Sequence, residues 1–565
     1  MSPILDLAVR GGVVVDGTGA PGRRADVGVR AGRIVEVGPL SEAATRTVDA
    51  TGCVVVPGFI DPHTHLDAQL CWDAAARPTC LHGVTSVVIG LCGFGVAPCP
   101  PRGGEYLLRS LEVVEEIPFE TTEQGVPFDW ESWTEYRAFL GRQALGVNVG
   151  ALVPHSALRY AVMGERARGA VATADDRAAL AGELTRALAG GALGFATSRG
   201  PNHVDAFGDP VPSRFADDAE LQALVAACRG KVWQINVRTK FSGDARGLTD
   251  EVSAYAAWSA ESGARLTWSP LHAEPGTDTW ADVVRHNRRL NQSPGTVVAP
   301  QVATAPITTT FRFDRFSHVA FVPGWDALVR GFFDLDTASR LRRLADPAVR
   351  ASLRDARVDP AAMFAPAFDA WVLLVSPSEP DAIGQSLAAV ARRRHVHPID
   401  ALCDLAVADQ LATVVQVPAV NRDAVAAVSL LTDRHTLVGL GDAGAHVMSI
   451  NNFSYPSQVL TRFVRDDASV PLEVAVSRMT ARPAAVLGIA DRGRIATGLA
   501  ADLAVIDLEG LRVGRLQVTR DLPGAAPRLY QDARGYRMVA VNGTITIEDD
   551  QPTGERPGQL LAAPT

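Results

Sequence analysis

The chain has 565 residues, 47% apolar and 21% charged, and its net charge of −9 is spread without an acidic tail or basic block. A single core seldom serves more than about 300 residues, so one large domain with additions, or two or three domains, is expected. No basic patch points to nucleic acid, and no apolar run reaches the roughly 18 residues of a membrane span.

Lys231 and Lys240 are the only lysines, so any lysine chemistry has two candidates. Seven scattered cysteines do not make a disulfide framework. The opening MSPILDLAVRGG lacks a basic segment and a long apolar one, so no secretory leader is predicted. A reducing cytoplasm is the expected location.

Short β-rich runs open the chain: Leu5 to Val9, Val13 to Asp16, Asp26 to Val29 and Arg33 to Val37, with Ala31-Gly32 as a hairpin tip. Cys53 to Val56 is a further β-run, leading into Pro57-Gly58-Phe59-Ile60-Asp61-Pro62-His63-Thr64-His65. In extended backbone, residues two apart face the same side, so His63 and His65 present both imidazoles to one place. Imidazole suits Zn²⁺ and similar ions, and the C-terminal ends of barrel strands are where barrel sites lie.

Next comes the strand Ser86 to Ile89, followed at once by Gly90-Leu91-Cys92-Gly93. Cys92 is either a small buried hydrophobe or a thiolate at the mouth of the second strand. His82, just before that strand, is assigned a structural or solvated role. Val147 to Val153 precedes a helix over Asp175 to Ala189, with Thr173 and Asp176 as capping residues. Gly194 to Thr197, Val232 to Val237, Arg265 to Trp268 and Leu437 to Leu440 continue the alternation of strand and helix, which predicts a parallel sheet or barrel. The middle exceeds the about 250 residues of a bare barrel, and the poorly periodic stretch 287–359 is the expected insertion.

Arg199 and His203 follow the Gly194 strand onto the catalytic face, and Arg238, two residues after Asn236, should point the same way. These four are candidates for substrate contact, Arg238 for a carboxylate. Lys240 becomes a candidate carboxylated lysine only if its strand runs on. His395 and His397, in a basic segment, are assigned structural or solvated roles. In Val438-Gly439-Leu440-Gly441-Asp442-Ala443-Gly444-Ala445-His446 a strand enters a Gly-rich turn. Asp442 is there either a turn former or a carboxylate that can ligate a metal and accept a proton from its water. The C-terminal end returns to β texture: Asp502 to Asp507, Tyr536 to Val541, an Asn542-Gly543 turn, and Thr544 to Ile547. Strands at both ends suggest one small β domain built from residues 1–58 and 487–565, around a barrel over 59–486.

The segments DLAVRGGVVVDGTGAPGRRADVGVRAGRI, VVPGFIDPHTHLD, HGVTSVVIGLCGFGVAP, VPHSALR, GGALGFATSR, GLGDAGAH and DRGRIATGLAADLAVID resemble, in order, those of the D-aminoacylase (N-acyl-D-amino-acid deacylase) branch of the amidohydrolase superfamily. The resemblance implies a (β/α)8 TIM-like barrel with a small β-sandwich formed by both chain ends. It implies His63 and His65 as metal ligands and Cys92 as a ligand replacing the superfamily's carboxylated lysine. Asp442 would be ligand and general base, and the cofactor a divalent metal, Zn²⁺ by donor type, as one or two ions.

Two further metal-binding histidines of that branch, in segments resembling HMR and SHLK, fall on Asn236 and Pro270 here. His272, two residues beyond Pro270, is a candidate replacement. The branch's lysine after the second histidine is also missing. The implied activity is hydrolysis of the C–N bond of an N-acyl amino acid, D-configured by resemblance. Alternatives are opening of a cyclic amide, imide or lactone, and a non-catalytic barrel that acts as a binding protein. The partner expected is a small-molecule substrate, with no nucleic acid or membrane, and homo-oligomerisation is left open.

Overall fold

The computed structural model describes residues 4–239, 244–273, 277–315, 317–358 and 364–562. Among these residues, eight parallel strands form one sheet in chain order. They are β1 (Phe59–Asp61), β2 (Val84–Ile89), β3 (Asn148–Pro154), β4 (Gly194–Ser198), β5 (Val232–Asn236), β6 (Arg265–Ser269), β7 (Val298–Val302) and β8 (Leu437–Val438). Their runs are almost wholly buried, as expected for strands covered on both faces.

The sheet curls until its two edges meet at the C-terminal rim. Asp442 N–H donates to the His63 carbonyl (3.1 Å) and His65 N–H to the Ala443 carbonyl (2.8 Å). Gly441 makes this approach possible, since a Cβ there would collide with the Asp61 carboxylate. The result is a TIM-like barrel wrapped by helices such as Ala174–Ala189, which Thr173 and Asp176 close with a capping box.

Both chain ends lie in two further sheets. Leu503–Ile506 pairs with Val54–Pro57 and with Tyr536–Val541, so the seven-stranded sheet draws strands from both termini. Leu5–Arg10 belongs to a four-stranded sheet. Leu7, Val27 and Ile34 from the latter share a core with Val55, Leu503 and Met538 from the former. Ala31-Gly32 and Asn542-Gly543 have the paired positive φ angles of tight hairpins.

The excursion expected at 287–359 overlaps a longer segment that begins only after residue 302. Residues up to 302 belong to the barrel, as helix Thr279–Leu290 and β7. The separately packed segment runs between β7 and β8. Its antiparallel sheet joins Ile307–Arg312, Val414–Val420 and Val372–Val375, over a core that includes Phe311, Trp325, Trp371 and Leu402. The strands Val372–Val375 and Val414–Val420 are apolar runs, indistinguishable by pattern from barrel strands.

No helix among the described residues is long and apolar enough to cross a membrane. All seven cysteines are free. His397 accepts from Ile399 N–H at a helix start, a structural role as expected.

His82 is also structural. Its Nδ1 meets Ser457 Oγ and its Nε2 the Gln531 carbonyl, each at 2.9 Å, so it ties the entry of β2 to the C-terminal region. Burial pushes its pKa down to about 4, against about 6.5 in an unfolded chain. The unfolded chain then binds the extra proton first, so this contribution is complete above pH 6.5 and is lost as pH falls toward 4. At full extent it is about 3 kcal/mol. The urea midpoint of wild type should drop more steeply between pH 7 and 4.5 than that of His82→Gln. Parallel curves would rule the assignment out.

Candidate metal centre

The imidazoles of His63 and His65 are buried just beyond β1, with their Nε2 atoms 3.3 Å apart. Cys92, just beyond β2, brings its Sγ to 3.4 Å from His63 Nε2. The donor atoms of these three residues all lie within 4.8 Å of one another. Asp442, just beyond β8, adds a carboxylate: Oδ1 is 3.4 Å from His63 Nε2 and 3.9 Å from His65 Nε2. Ligands about 2.0–2.3 Å from a tetrahedral Zn²⁺ stand roughly 3.3–3.8 Å apart. The separations of 3.3–3.4 Å fall in that range and the one of 3.9 Å lies just beyond it, and two imidazoles, a thiol and a carboxylate suit a borderline divalent ion.

The backbone is strained at two of the four positions. Cys92 (φ 54°) and Asp442 (φ 46°) lie in the left-handed region without being glycine. Such conformations cost about 1–3 kcal/mol and gather where a side chain must be aimed.

The surrounding groups orient these donors. Gln301 Oε1, on β7, meets His63 Nδ1 and leaves Nε2 turned toward the cluster. Glu115, the last residue of helix Gly104–Glu115, places Oε1 3.4 Å from His65 Nδ1. Cys92 N–H donates to Gln234 Oε1 (2.9 Å), and Asn236 Nδ2 donates to Cys92 Sγ (3.2 Å).

Electrostatics around the cluster are tight. Burial lowers His65 well below its ordinary value, and the neighbouring His63 adds to this. Burial also pushes the Asp61 and Glu115 carboxyls up to about 8. His446 lies 3.8 Å from Glu115 and 3.5 Å from Glu116. Burial would lower its pKa, but the Glu116 hydrogen bond and the charges of Glu116, Glu115 and Asp442 push it up to about 9.

The cluster opens into a cavity of about 580 Å³, whose lining includes Asn236, His203 and His272. The excursion supplies Ile307, Thr308, Thr309, Phe321, Phe364 and Val420 to its wall. His272 stands outside the mutually close donor atoms found among the described residues. Arg199 and Arg238, expected at the substrate, are not among the described residues that line this cavity. β5 ends at Asn236, so strand alternation does not carry on to Arg238, whose backbone N–H donates to Glu251. Arg199 pairs with Asp218 at 2.6 Å. Both arginines line a separate hollow of about 260 Å³. Lys240 lies outside the described residues.

Glu115, Glu116, His446 and Gln301 escape sequence reasoning, although signals exist. Two glutamates at a helix C-terminus oppose the helix dipole, and a glutamine within an apolar strand asks for a partner.

A parallel β/α barrel with imidazole, thiol and carboxylate donors gathered at its C-terminal rim has the layout of a barrel metalloenzyme. The chain belongs to the amidohydrolase family, whose model matches residues 46–547. It is 30% identical to N-acyl-D-glutamate deacylase from Alcaligenes xylosoxydans xylosoxydans over 99% of this chain and 97% of that protein. N-acyl-D-glutamate deacylase from Bordetella bronchiseptica, solved with zinc and a phosphonate that mimics its tetrahedral intermediate, is 26% identical with a TM-score of 0.65, covering 99% of this chain and 100% of that one. A D-aminoacylase structure, whose binuclear centre is activated by one metal and attenuated by a second, is 25% identical with a TM-score of 0.65 and the same coverage.

Proposed function

We propose that this protein is a metal-dependent deacylase that hydrolyses the amide C–N bond of an N-acyl amino acid of D configuration. The observation that carries this reading is the convergence of His63, His65, Cys92 and Asp442 on one spot at the cavity floor, in a chain similar along its whole length to N-acyl-D-glutamate deacylase. His63, His65, Cys92 and Asp442 would hold the ion, Zn²⁺ by donor type. A bound divalent ion supplies Lewis acidity toward water and toward an acyl oxygen.

The protein's own groups do the rest. Gln301 fixes the His63 imidazole with Nε2 inward, and Glu115 sets a carboxyl group 3.4 Å from His65 Nδ1. Asp442 takes the proton of the attacking water and then delivers it to the departing nitrogen, because an amide does not readily expel an unprotonated amine. Asn236 serves the Cys92 sulfur and faces the substrate, as do His203 and His272. With Asn236 and Pro270 where that branch has histidines, one ion per chain is the proposed stoichiometry.

The same proposal places the barrel at 59–486 and reads the two terminal sheets, 1–58 and 487–565, as a small β-sandwich. It includes a cytoplasmic location and a small-molecule partner.

The test is an assay panel on the zinc-loaded enzyme: N-acyl-D-amino acids, their L-isomers, hydantoins, cyclic imides and lactones. Turnover confined to the cyclic compounds, or absent throughout, refutes the reading. Elemental analysis should give about one zinc per wild-type chain. Cys92→Ala should fall well below that after dialysis against a chelator that leaves wild type loaded. Equal retention by both proteins would remove Cys92 from the ligand set.

A further inference from the structure

His203 lies in the loop after β4, lines the cavity described above, and has its ring fixed from two sides. Phe94 packs edge-to-face against it, with centroids 5.2 Å apart. On the other side, Nδ1 is 2.7 Å from the hydroxyl of Ser198, the buried last residue of β4.

That hydroxyl already accepts from Gly200 N–H at 3.0 Å. Its single proton needs an acceptor, and among the described residues Nδ1 of His203 stands at hydrogen-bond distance. A buried hydroxyl left undonated costs about 1–3 kcal/mol. Ser198 thus donates to Nδ1, which places the ring proton on Nε2 of a residue that lines the cavity.

We propose that His203 gives this Nε2–H to the acyl oxygen of the substrate, where negative charge gathers as water adds, and that Ser198 is the positioning residue that fixes the tautomer. The role rests on the deacylase reading; the tautomer does not.

The experiment combines two measurements on the full-length, zinc-loaded protein. In the first, ¹⁵N-histidine NMR at pH 7.5, with His203 assigned by its loss in His203→Gln, should show Nδ1 bare and Nε2 protonated. In Ser198→Ala those signals should move toward an exchanging mixture.

In the second, kcat on an N-acyl-D-amino acid should fall about 10²-fold in His203→Phe with little change in KM. It should fall less in His203→Gln, which keeps an N–H donor, and about tenfold in Ser198→Ala. A protonated Nδ1 in wild type, a kcat within twofold of wild type in His203→Phe, or a loss seen in KM alone overturns the proposal. A wild type that shows the Nε2–H form and hydrolyses no N-acyl amino acid overturns the deacylase reading instead.

Discussion

Asp442→Asn is expected to lower kcat by about 10²–10⁴-fold, the range over which a positioned acid–base group acts, while the chain keeps its metal. The carboxylate lies 3.4 Å from His63 Nε2, at the centre of the donor cluster. Its backbone is held by Asp442 N–H to the His63 carbonyl, a bond that asparagine preserves. Asparagine matches the shape but takes no proton, and His63, His65 and Cys92 still offer three donors. Kinetics and zinc content of one preparation decide the matter. A variant with full zinc and more than a tenth of wild-type kcat would show that the proton travels by another route.

The second large effect concerns stability. Glu220, on helix Asp218–Ala227, is fully buried between His155 (Nε2 at 2.8 Å) and Arg159, both from helix His155–Met163 and both fully buried. Burial would raise its carboxyl, but the hydrogen bond and charge of His155 and the charge of Arg159 outweigh burial and hold it below its ordinary value. Glu220→Ala should cost about 3–5 kcal/mol, because it leaves the Arg159 guanidinium buried without its counter-charge. The double variant Glu220→Leu with Arg159→Met should recover most of that loss. Urea midpoints at constant zinc test both statements. A double variant no more stable than Glu220→Ala would mean the cost comes from packing and not from stranded charge.

Much of this architecture was legible in the residues. His63 and His65 stand two apart beyond a strand, a spacing with one geometric meaning. Cys92 and Asp442 follow apolar runs that end in glycine, and strand order alone brings the last run beside the first. What stayed hidden depends on contacts distant in sequence. Arg238 could be aimed at the cavity only by assuming that β5 runs two residues further than it does. β7 vanished into the expected insertion because Pro300 and Gln301 interrupt the apolar run VAPQV, while the excursion's own apolar strands share the pattern of barrel strands. Glu115 approaches His65 from a helix whose docking no local pattern encodes.

The excursion's wall residues belong to a segment with its own core around Phe311, Trp325 and Trp371, whereas the reactive groups stand on the barrel. Recognition and reactivity are thus anchored in two independently filled interiors. Substitution at Phe321, Thr309 or Val420 can reshape what the enzyme admits without loosening the groups that react, so the specificity of this scaffold can drift through one interior while the other stays untouched.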